Sequence, residues 1–336
     1  MDLGRGVDLH EFADYIKGLS GEIGFRVSAR GWAYLLETRR LINKDEFDRV
    51  NSLINQCRKK GLLPINFVAE DSARLFQGVE IPASVDVISD LGEWLRASVD
   101  TAENYHLDWW DGEEFYIQMV VEKVDLVTLF SPICREYHIP IANAKGWSSI
   151  LQRAQYARRF LEAERQGLKC IFLYCGDHDP DGLRISDFIR KNLVDIQQVR
   201  WSDGTPGYSP FKLVIERFGL NYDFIEQNQL TWIDNLITGS GLNLASPAHR
   251  NYKMEYVQQY LKEIGERKCE ANAVVTMPAQ ARNLVRGVIE GYLGEDALDR
   301  FEEKRQVVRD QLDGYLESTG IGETLDGIIE KIESRD

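Results

Sequence analysis

Apolar residues recur every third or fourth position in "SARGWAYLLETRRLI", where Trp32, Leu35 and Leu36 are followed by Leu41 and Ile42, and this spacing predicts a short amphipathic helix. A second helix is predicted in "KDEFDRVNSLINQCRKKGLL", with Phe47, Val50, Leu53, Ile54 and Cys57 on one face and Gly61 as a C-terminal stop. Two such helices joined by a short turn and carrying basic residues suit a helix-turn-helix or winged-helix module. "LPINFVAEDSARL" reads as the strand or wing that leaves it. From Phe76 to Gly112 the pattern is irregular, with Pro82 and the aromatic run "YHLDWWDGEEFY", and reads as a connecting segment.

The period then alternates. "EFYIQMVVE" is a strand, "KVDLVTLFSPICREY" a helix interrupted by Pro132, "IPIANA" a strand and "WSSILQRAQYARRFLEAERQG" a long helix. "KCIFLYCGD" is a third strand and "DGLRISDFIRKNL" its helix. Strand-helix repetition predicts a parallel α/β sheet with functional groups at the carboxyl ends of its strands. The expected organisation is an N-terminal extension (1–19), a winged-helix-like DNA-contact domain (20–75), a connecting segment (76–112), an α/β domain (113–293) and acidic C-terminal helices (294–336).

With 336 residues, 43% hydrophobic and 10% aromatic, the chain can bury a sizeable core in two or three domains. It has no run of about 18 uncharged apolar residues, and its start lacks a basic segment followed by an apolar one, so a cytoplasmic protein without membrane span or secretory signal is expected. Cys57, Cys134, Cys170, Cys175 and Cys269 form no CxxC pair and are expected to be reduced, mostly buried thiols.

The net charge of −14 argues against a general nucleic-acid coat, but it is unevenly spread. From Ser20 to Ile65 nine basic residues face five acidic ones, a net of +4, which leaves −18 for the rest. Arg26, Arg39, Arg40, Arg58, Lys59 and Lys60 in this stretch are candidate DNA contacts, although a solvated helix face explains the same charges. Lys145 ends the middle strand, where with Trp147 and Ser148 it serves either DNA-backbone contact or loop packing. The tail from Gly294 carries 13 acidic and six basic residues, with apolar residues at helical spacing, and reads as a capping helix pair.

The first strand ends in Glu122 and the third in "GDHDPDG", with Asp177, Asp179 and Asp181. Residues two apart on an extended chain point the same way, so Asp177 and Asp179 can converge. Clustered carboxylates repel and raise one another's pKa values unless a cation neutralises them, and hard oxygen donors select magnesium, manganese or calcium. Read alone, the string is equally an exposed turn built from Asp, Pro and Gly, with His178 simply exposed in it. An EF-hand is the poorer alternative, because the loop follows a strand and lacks the closing glutamate.

"VVEK", "GWSS" and "GDHDPDG", in this order, resemble the TOPRIM domain of the topoisomerase VI A-type family. The resemblance spans Ser20 to Gly291 and is greatest to the compact, free-standing mini-A type. It implies a winged helix followed by TOPRIM, with Glu122, Asp177 and Asp179 as Mg2+ ligands (Mn2+ a substitute), Asp181 as a further candidate, and Lys123 fitting the pattern beside DNA. "SARGWAYLL" is similar to the segment in which an arginine precedes the DNA-attacking tyrosine by four positions, which assigns Tyr34 as nucleophile and Arg30 as its helper. Where many members carry two tyrosines and an acidic residue after the arginine, this chain has Ala33–Tyr34 and Gly31. "ERKCEANAV" matches the end of the domain, with Glu270 at a recurrent acidic position.

The resemblance implies a homodimer on double-stranded DNA in which one protomer's tyrosine meets the other's metal site. The chain has no Gly-rich ATP motif, and an ATPase partner is left open. A tyrosine hydroxyl, with a reference pKa of about 10, needs electrostatic help to attack phosphate. By residue type alone, Tyr34 among Leu35, Leu36 and Trp32 is a core position. Three functions therefore follow as expectations: a Mg2+-dependent DNA-breaking transesterase, a nuclease using activated water, and a non-catalytic dimeric DNA-binding protein.

Overall fold

In the computed structural model of the chain, residues 7–69, 87–99, 107–144, 150–237 and 242–334 are described; Lys145, Trp147, Ser148 and much of the connecting segment lie outside them. The chain divides into two compact units, one of residues 1–73 and 113–293, the other of 74–112 and 294–336. Among the described residues no helix is long and apolar enough to cross a membrane. All five cysteines are unpaired and buried.

The first unit opens with α1 (Leu9–Ile23), α2 (Ala29–Thr38) and α3 (Phe47–Lys59). Residues 1–19 read as an extension in sequence, yet Phe12, Ala13, Ile16, Leu19 and Ile23 give α1 a buried stripe at helical spacing. Asp8 caps its start by accepting from the His10 N–H at 2.8 Å. α3 forms where the spacing predicts it, and α2 carries Trp32, Leu35 and Leu36 but stops at Thr38, short of Leu41 and Ile42. The strand or wing expected after α3 is absent among residues 62–69, which form turns instead. Arg58 donates to the Ile65 carbonyl through Nε at 2.8 Å and Nη2 at 2.6 Å, and Phe67 stacks on Trp32 with ring centroids 5.2 Å apart, so side chains hold this stretch out of a ladder.

The α/β part contains β1 (Phe115–Val121), α5 (Val124–Glu136), β2 (Ile141–Asn143), α6 (Ile150–Arg165), β3 (Lys169–Cys175), α7 (Pro180–Leu183), α8 (Ile185–Val194) and β4 (Val214–Arg217), with α4 (Val87–Val99) belonging to the other unit. The four strands are parallel, in the order β2-β1-β3-β4, with Val121 opposite Cys175. The interiors of β1 and β3 are buried throughout, as central parallel strands covered on both faces should be. β1 connects to β2 on one side and pairs with β3 on the other, so the strand order reverses between β1 and β3. That reversal opens a crevice at their carboxyl ends, the usual binding place in such sheets.

α5 runs through Pro132 without the expected break, because Leu129 and Phe130 before the proline and Ile133 and Cys134 after it are all buried. β4 escaped the sequence reading because its four residues, "VIER", mix charge with apolar positions. Beyond it come α9 (Tyr222–Gln227), α10 (Glu255–Glu263), a 3-10 turn over Ala271–Thr276, and α11 (Pro278–Leu293). In the second unit, α12 (Ala297–Thr319) and α13 (Ile321–Glu333) realise the predicted tail helices, α4 packs against α13, and Trp109 meets Phe301 at 4.5 Å between centroids.

One contact fixes α2 within its unit. Asp125, 1% exposed in the first turn of α5, accepts from the Ser28 N–H at 2.6 Å and the Ser28 hydroxyl at 3.0 Å, while Ser28 Oγ accepts from the Gly31 N–H at 3.0 Å. A Cβ on residue 31 would lie 2.3 Å from Asp125 Oδ2 and 2.4 Å from Val27 Cγ1, which accounts for glycine at this position. Gly→Ala inside a helix ordinarily stabilises by about 1 kcal/mol. Here Gly31→Ala is expected to destabilise by about 1–3 kcal/mol, the cost of overpacking, read by urea unfolding. A change below about 0.5 kcal/mol would show that α2 is free to shift off Asp125.

Candidate active site

Glu122 leaves the end of β1 and Asp177 the end of β3, at the strand-order reversal. The Glu122 N–H donates to the Cys175 carbonyl at 2.9 Å, and the Asp177 N–H donates to Glu122 Oε2 at 2.9 Å. The Lys123 ammonium lies between the two carboxylates, 2.7 Å from Glu122 Oε1 and 2.9 Å from Asp177 Oδ2. Burial alone would lower the lysine's pKa, but Asp177 and Glu122 outweigh it and hold the ammonium charged. Asp177 Oδ1 accepts from the Ala271 N–H at 2.7 Å. Arg217, at the end of β4, donates to the carbonyls of Gly176 and Asp177 at 3.1 and 2.7 Å and so fixes the loop that carries the acid.

Asp179 and Asp181 are turned to other work. Asp179 Oδ1 accepts from the Gly182 N–H at 2.6 Å and caps α7, while Asp181 is exposed and accepts from the Tyr256 hydroxyl at 3.0 Å. A Cβ at Gly182 would come within 2.2 Å of the Asp177 carbonyl, so the tight turn requires glycine there. Among the described residues, no group of three or more His, Cys, Asp or Glu side chains is arranged to hold a metal. Of the expected ligands, Asp179 spends Oδ1 on the α7 cap, while Glu122 and Asp177 are the two joined by Lys123. Two carboxylates still fit magnesium, which usually keeps several waters and takes one or two protein carboxylates together with substrate phosphate. The ammonium between Glu122 and Asp177 stands where such a cation would be shared.

Two of the turn's aspartates, Asp177 and Asp179, resist ionisation. Burial first, with neighbouring carboxylates, raises Asp177 and Asp179 to about 6, although Lys123 opposes the shift at Asp177. A carboxylate with a raised pKa contributes stability that is full below its unfolded pKa and is lost as pH rises through the folded value. Metal-free Asp179→Asn is therefore expected to melt higher than the parent at pH 8, with the difference closing as pH falls through 6 towards 4. A difference independent of pH would contradict this.

Tyr34 lines a pocket with Glu270, the residue before Ala271, whose N–H donates to Asp177. The tyrosine is 9% exposed, packs edge-on against Phe47 at 4.8 Å, and lies within electrostatic reach of Arg30, one turn back on α2, and of Glu270. Burial, then the Glu270 charge, raises the Tyr34 pKa well above its ordinary value, while Arg30 and Lys123 pull the other way. Glu270 is positioned by pairing of its neighbour: the His178 N–H donates to the Cys269 carbonyl at 2.8 Å, and the Cys269 N–H returns to His178 at 3.1 Å. Glu270 also pairs with Lys268 at 3.3 Å. Tyr34, Thr38, Trp232 and Glu270 line a pocket of about 140 Å3. His178 is buried rather than exposed; its Nδ1 bonds the Leu220 carbonyl at 2.5 Å, and burial holds its pKa near 4, so the neutral ring packs on Trp232 and Tyr260.

No family model matches the chain, and no curated protein matches it.

Of the candidate DNA contacts, Arg26, Arg40, Lys59 and Lys60 are exposed, whereas Arg39 pairs with Glu22 at 2.7 Å, Arg58 holds the Ile65 carbonyl and Lys123 is held by the carboxylates. Asp125 and Arg217 were missed by sequence reasoning. Asp125 carries the one usable signal, an acidic residue in the first turn of a helix three positions after Glu122; Arg217 sits in a strand too short and too charged to read.

Proposed function

We propose that the chain is a Mg2+-dependent DNA-breaking transesterase of the topoisomerase VI A type, a winged-helix-like module joined to a TOPRIM-like sheet, with Mn2+ able to substitute and Tyr34 as nucleophile. The observation that supports this reading is the proximity of the tyrosine to the acid pair: Glu270 lines one pocket with Tyr34, and the N–H of the next residue, Ala271, donates to Asp177. Glu122 and Asp177 would hold the metal, which when bound would neutralise charge on the scissile phosphate.

Glu270 accepts the phenol proton as Tyr34 Oη bonds to phosphorus, and Arg30 stabilises the developing phenolate. The phosphorus–oxygen bond to the neighbouring deoxyribose breaks, and that oxygen takes a proton from water. The product is a tyrosyl phosphodiester, and reversal reseals the strand. Tyr34 thereby acts with the carboxylates of its own chain, where the family resemblance implies the partner's. A cytoplasmic homodimer carrying two such sites would cut both strands of a duplex, and the exposed Arg26, Arg40, Lys59 and Lys60 would meet the DNA backbone.

The depth of Tyr34 and its packing on Phe47 favour a second reading, hydrolysis by activated water with the tyrosine purely structural. The test is supercoiled plasmid with Mg2+ or Mn2+, stopped in detergent and run with and without protease. Fragments that appear only after protease are expected. Cuts that need no protease would favour hydrolysis, and no cut with either metal would leave a DNA-binding protein.

A further inference from the structure

We propose that Lys123 is the resident cation of this site, and that a divalent ion can be shared by Glu122 and Asp177 only by displacing its ammonium, which then becomes available to a DNA phosphate. The inference rests on the metal-binding part of the function proposed above. Its basis is the allocation of the four carboxylate oxygens. Glu122 Oε2 accepts from the Asp177 N–H at 2.9 Å, with the Tyr174 hydroxyl at 3.4 Å, and Asp177 Oδ1 accepts from the Ala271 N–H at 2.7 Å. Those backbone bonds hold the two acids in place and leave Glu122 Oε1 and Asp177 Oδ2 as the pair that converges. Both of these oxygens are held by Lys123 Nζ, at 2.7 and 2.9 Å.

Magnesium binds oxygen at about 2.0–2.1 Å, so an ion between these oxygens would occupy the space of the ammonium and repel its charge. The lysine can yield. Its side chain is 25% exposed, its stem is flexible, and its backbone is extended just ahead of α5, so rotation of side-chain bonds carries the ammonium to the rim of the crevice without moving β1. A released ammonium offers three donors and a positive charge, which suit a phosphate oxygen. Ion entry and backbone capture would then be coupled: the metal that prepares the carboxylates also frees the lysine for DNA.

The test is lysine acetylation of the full chain, read residue by residue by peptide mass spectrometry, beside Mn2+ binding followed by electron paramagnetic resonance. Lys123 is expected to react slowly without metal and to accelerate by about tenfold or more on saturation, the worth of the charge-assisted bonds released. Exposed Lys59 and Lys60 should keep their rates. Lys123→Gln is expected to bind Mn2+ about tenfold more tightly than the parent for the same reason, and Asp177→Asn should lose that binding. Mn2+ bound in an Asp177-dependent manner with an unchanged Lys123 rate would overturn this inference and leave the metal site standing. An absence of Asp177-dependent Mn2+ binding would overturn both.

Discussion

Asp177→Asn is expected to lower metal-dependent DNA cleavage by about a thousandfold, the scale of removing one principal electrostatic contribution to a transition state. The substitution keeps an oxygen for the Ala271 N–H, which Asp177 Oδ1 now accepts at 2.7 Å, and removes the charge that meets Lys123 at 2.9 Å. Alanine at this position would also orphan that buried N–H, costing about 1–3 kcal/mol, so it confounds loss of function with loss of fold. Asparagine separates the two. It should also relieve a carboxylate whose pKa is pushed up to about 6, so its metal-free thermal midpoint at pH 8 should not fall. Retained cleavage by a folded Asp177→Asn protein would remove this acid from the chemistry.

Tyr34→Phe is expected to abolish the covalent protein–DNA adduct altogether while leaving a folded chain. The loss in urea unfolding should be no more than about 1 kcal/mol, since the ring keeps its edge contact with Phe47. Mixing Tyr34→Phe with Asp177→Asn decides whose tyrosine acts. If Tyr34 works beside its own chain's Glu270 and Asp177, every protomer in the mixture carries a broken site and no adduct forms. Recovery of adduct on mixing would show instead that each tyrosine serves the partner's carboxylates. Cleavage that survives in Tyr34→Phe alone, without adduct, would make the reaction hydrolytic.

Much of the architecture was written in the sequence because it is local. Apolar spacing located α2, α3 and the alternating strands and helices from Phe115 to Leu193, since a helix stripe and a buried strand each leave a period that neighbouring residues carry among themselves. The same locality put Glu122 and Asp177 at strand ends. Where the signal was weak or overridden, the reading failed: β4 is four residues long, α5 carries Pro132 in a buried helix, and side-chain contacts from Arg58 and Trp32 keep residues 62–69 in turns.

What only the tertiary structure decided is which groups face one another. Two apart just beyond β3, Asp177 and Asp179 are equivalent in sequence, but Asp179 Oδ1 caps α7 while Asp177 Oδ1 accepts from the Ala271 N–H. Lys123 is a charge beside a charge until the pairing of β1 with β3 sets it between two acids. Tyr34 is a core-like residue on an apolar helix until Asp125, 97 positions from Ser28, pins α2, and the pairing of Cys269 with His178 carries Glu270 into the same pocket. Periodicity is a property of neighbours along the chain and survives in sequence. Convergence of distant residues depends on strand order and side-chain direction, and those exist only once the chain has folded.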